Sequence, residues 1–156
     1  MTWQPGRDTV QQLLDHGELE RVTPDGAVAD RLLADAARHL ITASAGIETG
    51  DLVGAYQLAY DALRKSAAAL LAAQGLRATS RGGHIAVQDA VSAQFGSTLR
   101  TLSAFGRLRR ARNRFEYPDS DDAGPSPDDV LDAVDVAQRT RDTVQTVLNS
   151  AVLTPW

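Results

Sequence analysis

LVGAYQLAYDALRKSAAALLAAQG, from Leu52 to Gly75, decides the fold class. Tyr56, Tyr60, Leu63, Ala67 and Leu70 recur at alternating steps of four and three residues, which is the repeat of one helix face. Ala55, Ala62 and Ala69 open a second face of small residues. Asp61 and Lys65 stand one turn apart, acid before base, and are predicted to pair on the wet side. Gly75 is placed to close the helix with a positive φ. The segment is the best candidate for the helix at the centre of a core.

Working outward, the periodicity stays helical, and no convincing period-2 run appears. A first helix is predicted from Asp8, with Val10, Leu13 and Leu14 on one face. Thr23-Pro24-Asp25 reads as the start of a second, with Thr23 as the capping hydroxyl, a proline in the first turn and an acid by the positive end of the dipole. Its buried side comprises Ala29, Leu33, Ala36, Leu40 and Ala43, and Ile47 to Asp51 reads as a turn. Beyond Gly75, a flexible RATSRGGH segment (Arg77–His84) leads to a shorter helix carrying Val87, Val91 and Phe95. A fifth helix is predicted from about Ser97 to Tyr117, where Pro118 stops it. After the polar loop DSDDAGPSPDD (Asp119–Asp129), Ser126-Pro127-Asp128 repeats the earlier start signal. The last helix packs through Val130, Val134, Ala137, Val144 and Leu148. The expected architecture is an all-α antiparallel bundle of about five to six helices, one domain spanning residues 1–156, with long helices near 52–74 and 127–150.

Composition narrows the chemistry. A chain of 156 residues fits one domain and can bury roughly 70% of the surface its unfolded form exposes. The absence of cysteine excludes disulfides, thiolate zinc sites and a cysteine nucleophile, and it fits a reducing cytoplasm. No apolar run is long enough to span a bilayer, and no charged-then-apolar leader follows Met1, so neither a membrane anchor nor a signal peptide is expected. No HxxxH or carboxylate-rich set suggests a metal, and no cofactor is expected. A net charge of −4 gives the whole molecule no generic attraction to nucleic acid.

The distribution of charge says more. Six arginines lie between Arg100 and Arg114 with no acid among them, and the chain then turns acidic. On a helix, Phe105, Leu108, Ala111 and Phe115 form the apolar stripe, and Arg112 falls inside it. Arg107, Arg110 and Arg114 lie opposite, as a solvated face near a helix C-terminus. Arg109, Asn113 and Glu116 occupy the shoulder between. A guanidinium on a packing face must be paired or must line a cleft. Arg112 therefore either pairs internally, with Glu116 one turn on or with an acid from another helix, or faces a ligand. His84, beside Gly82-Gly83, reads either as a ligand contact or acid–base partner to Arg112, or as a helix-start residue hydrogen-bonded in the core. His16 and His39 read as surface or structural residues.

The run R-N-R-x-E-Y-P at Arg112–Pro118 resembles the signature region of HEPN domains, small all-α bundles. The long helix AYDALRKSAAALLAAQGLR and the following TSRGGH resemble the core of a bacterial HEPN subfamily, in detail from about Leu52 to Tyr117. Catalytic HEPN domains pair two copies of this helix across a dimer. An arginine holds the scissile phosphate while a histidine moves protons for attack by the RNA 2′-hydroxyl. The resemblance implies Arg112 as the motif arginine and Asn113 as its polar neighbour. The family's histidine follows after four to six residues, but Tyr117, Pro118 and Asp119 fill that window. Counted from Arg109, the window holds Arg114, Phe115 and Glu116, which leaves Glu116 as the proton carrier.

The resemblance thus implies, first, a non-catalytic HEPN-like dimer that binds RNA or a nucleotide in a cleft lined by Arg109, Arg112, Asn113, Tyr117 and His84. Such a domain belongs in a toxin–antitoxin or defence system, beside a nucleotidyltransferase or antitoxin partner. The second reading is a metal-independent RNase toxin using Arg112 with Glu116. The third is a protein–protein adaptor whose arginines serve the interface.

Overall fold

The computed structural model describes residues 3–156. Met1 and Thr2, where the leaderless reading of the N-terminus begins, lie outside the described residues. Six α-helices are present among them: α1 (Arg7–Asp15), α2 (Gly26–Thr49), α3 (Leu52–Gln74), α4 (Gly83–Phe95), α5 (Phe105–Glu116) and α6 (Pro127–Asn149). Strands β1 (Leu19–Arg21) and β2 (Leu76–Ala78) pair antiparallel, with Glu20 opposite Arg77. The chain folds as an all-α bundle with this one small ribbon.

Helix α3 is the centre, packed against α2, α6, α4 and α5. Both of its predicted faces are buried. Tyr60, Leu63, Ala67 and Leu70 are fully inaccessible, as are Ala62 and Ala69. Each large side chain so buried contributes about 1.5–3 kcal/mol. The small face permits close approach: a Cβ placed on Gly46 of α2 would stand 2.9 Å from that of Ala55. Gly75 ends α3 at φ 80°, and any side chain there would also meet the Val22 carbonyl oxygen at 2.7 Å.

The helix starts show where local chemistry overrides the sequence reading. Asp25, not Thr23, caps α2: its carboxylate accepts from the Val28 amide at 3.0 Å. The Asp25 amide donates to the Ala72 carbonyl at 3.0 Å, which holds Asp25 extended and leaves Thr23-Pro24 outside the helix. At its other end α2 runs on to Thr49, so the expected turn shrinks to Gly50-Asp51. Gly50 supplies φ 84°, and Asp51 caps α3 by accepting from the Gly54 amide at 2.9 Å. The start of α6 follows the sequence reading, with Pro127 in the first turn and a reciprocal Ser126–Asp129 capping box.

Three further expectations change. The fifth helix begins as a 3-10 turn at Arg100–Ala104, and α-geometry starts only at Phe105. Leu99 and Leu102 are buried there, and the Thr101 hydroxyl bonds that of Thr140 on α6 at 2.6 Å. In α6 the buried set is Val130, Ala133, Val136, Ala137, Thr140 and Val144, while Val134 and Leu148 are only partly covered. Lys65 does not pair with Asp61. It reaches across to α2, where Asp35 lies at 3.4 Å and His39 Nε2 at 3.0 Å, and Asp61 pairs instead with Arg64 at 3.4 Å. Lys65 is mostly covered by α2, so cross-helix partners replace the one along its own helix. No helix among the described residues is long and apolar enough to cross a membrane.

Candidate functional site

Helix α5 buries Phe105, Leu108, Ala111 and Phe115, and Phe115 meets Tyr56 of α3 edge-on at 5.0 Å. This packing fixes the roll of α5 and therefore the direction of its arginines. Arg107 pairs with Asp132 at 2.9 Å, and Arg114 lies 5.0 Å over the Phe115 ring. The shoulder toward α3 and α4 carries Arg109 and Arg112.

Arg112 keeps only 19% of its side chain exposed. Its Nη1 lies 3.0 Å from Glu116 Oε2, and also donates to Asn113 Oδ1 at 3.0 Å. Its Nε is buried without a hydrogen-bond partner among the described residues, a costly state for a charged donor. Arg109 donates through Nε to Gln88 Oε1 of α4 at 3.2 Å. Arg64 of α3 holds Asp61 only at 3.4–3.5 Å.

His84 opens α4, and its Nδ1 lies 3.2 Å from the hydroxyl of the fully buried Tyr60. Burial pushes the Tyr60 phenol up to about 12 against the pull of Arg64, Arg109 and Arg112. Burial also holds the His84 imidazole below 6.5, helped by Arg64, Arg112 and Arg109 and opposed by Asp61. At neutral pH the imidazole is therefore uncharged and the phenol protonated. The same three guanidiniums act on both groups, so Tyr60, His84, Arg64, Arg109 and Arg112 form one electrostatic neighbourhood. Asp61 pairs there with Arg64 and Glu116 with Arg112.

Of the residues singled out in the sequence, the fold brings Arg109, Arg112, Asn113, Glu116 and His84 to this neighbourhood. Tyr117 follows the end of α5 and is 78% exposed. Tyr60, Arg64 and Gln88 were not recognised as members. The i,i+4 spacing of Tyr60 and Arg64 on α3 was the available signal, since a tyrosine on a core stripe must satisfy its hydroxyl at one end. No three His, Cys, Asp or Glu side chains among the described residues are grouped to hold a metal ion.

The arrangement can hold an anion. It offers guanidinium donors already oriented by neighbours and an uncharged imidazole. No curated protein and no solved structure matches the chain. The HEPN domain family matches residues 29–147, from the first turn of α2 almost to the end of α6, and so takes in Tyr60, His84 and the whole arginine helix. The chain belongs to the HEPN domain family.

Proposed function

We propose that the protein is a single-domain HEPN binding module that holds the phosphates of RNA or of a nucleotide against Arg109 and Arg112 without cutting them. The observation that carries the reading is the set of three guanidiniums, Arg64, Arg109 and Arg112, that act together on the Tyr60–His84 pair. The unpartnered Arg112 Nε adds a donor that a phosphate oxygen can satisfy once the guanidinium turns outward. Two copies related by a dyad would place two Arg112 side chains at a shared cleft, as family membership suggests.

Fluorescence anisotropy with a labelled mixed-sequence oligoribonucleotide tests the reading. Arg112→Ala is expected to weaken binding about 10- to 100-fold, the worth of a hydrogen bond to a charged group. The oligonucleotide stays intact on a denaturing gel. Unchanged affinity in Arg112→Ala refutes the assignment.

A second reading, RNase activity, draws support from one feature. His84 supplies the imidazole that the motif window after Arg112 lacks, and Tyr60 fixes its ring. Glu116 is occupied by Arg112. If RNA is cut, the proton carrier is His84 rather than Glu116.

A further inference from the structure

A cavity of about 420 Å³ opens between α2, α3, α4 and strand β2, beside the arginine neighbourhood. Leu32, Ala68, Leu71 and Val87 line it with apolar surface. Its volume falls in the range of small-molecule sites, which combine apolar walls with a few fixed polar groups.

The charges at the cavity are unequal in availability. Asp25 spends its carboxylate on the first turn of α2. Arg77 is engaged by Glu20 on the neighbouring strand at 2.7 Å. Arg64 has only the long contact to Asp61, and its Nη1 has no hydrogen-bond partner among the described residues. Tyr60, Arg64, Ala68 and Leu71 form one stripe of α3, at steps of four, four and three residues. His84 and Val87 stand one turn apart on α4. Both helices thus run from polar cluster to apolar cavity, and Arg64 lies at the junction.

We propose that this cavity binds a small amphiphile whose apolar body lies against Leu32, Ala68, Leu71 and Val87 and whose single anionic group pairs with Arg64. The shared chemistry is a carboxylate, phosphate or sulfonate on an apolar chain or ring. A cationic amphiphile of the same body meets Arg64 with like charge and is rejected. This site shares Arg64 with the arginine neighbourhood but needs neither Arg109 nor Arg112, and it stands whether or not the chain binds RNA.

Titration of the whole chain with decanoate, decanol and decylamine, followed by methyl NMR, tests the proposal. Decanoate is expected to shift the Leu32, Leu71 and Val87 methyls and to bind at least tenfold tighter than decylamine. Arg64→Gln lowers decanoate affinity about tenfold or more and leaves decanol unchanged. Ala68→Phe, which fills the cavity from α3, removes both. Shifts confined to other methyls, or no saturable shift at all, overturn the proposal without any variant having to fold. Equal binding of decanoate and decylamine, or a decanoate affinity indifferent to Arg64→Gln, overturns the anionic assignment. An oligoribonucleotide titration of Ala68→Phe separates the two sites: its RNA affinity matches wild type.

Discussion

The hydroxyl of Tyr60 and Nδ1 of His84 lie 3.2 Å apart, joining the middle of α3 to the first turn of α4 across 24 residues of sequence. This bond ties a fully buried aromatic to the imidazole among the arginines. Tyr60→Phe keeps the ring, which meets Phe105 edge-on at 5.9 Å, and removes only the hydroxyl. The expected loss is about 1 kcal/mol by urea denaturation. The His84 ring nitrogen signals change with it, since tautomer and tilt lose their restraint. Tyr60→Ala costs about 3–5 kcal/mol, as for other large core aromatics.

Acid weakens the fold through two histidines. Burial, then Lys65, holds His39 below 6.5, and burial, then Arg64 and Arg112, does so for His84. The unfolded chain therefore binds protons that the folded one refuses. Their contribution is complete above about pH 6.5 and is lost as pH falls through the lower folded values. Urea midpoints measured from pH 7 to 5 fall accordingly. The double variant His39→Gln/His84→Gln flattens that slope, and an unaltered slope contradicts the assignment.

Gln74 and Gln94 form a buried amide pair at 2.7 Å, with Gln74 Oε1 and Gln94 Nε2 left without partners among the described residues. Either single change to Leu strands the other amide and costs about 1–3 kcal/mol. Changing both removes the stranded groups, so the double variant recovers most of the loss. Additive losses in a double-mutant cycle refute the coupling.

Expression in cells separates holding from cutting. The wild-type chain is expected to leave growth and cellular RNA unchanged. Toxicity relieved by His84→Ala but not by Glu116→Gln moves the protein to the RNase reading with His84 as proton carrier. Relief by Glu116→Gln alone places the proton on Glu116.

What the sequence made legible follows the range of the interactions. The long helices carry their faces in the 3,4 spacing, so Tyr56 through Leu70 and Ala29 through Ala43 are buried as read. The ribbon was invisible, because three residues such as Leu19–Arg21 are too few to show an alternation. Arg112 and Glu116 lie one turn apart and were found as candidate partners. Lys65 was not placed correctly, because what decides its contacts is Asp35 and His39 on helix α2, far along the chain. His84 was seen as a residue; its meaning depended on Tyr60, a partner only the fold supplies.

The two-residue link Gly50-Asp51 bears on how the chain finds its shape. Helices α2 and α3 meet through contacts that close a short loop, and the carboxylate that starts α3 sits in the link itself. Loop closure there costs little entropy, whereas α6 reaches α3 only after a far longer excursion. The hairpin is accordingly the place for the folding transition state to form, and its local topology favours fast folding. Asp51→Ala and Ala55→Gly are expected to slow refolding with φ-values well above those of Val144→Ala in α6, which mainly speeds unfolding.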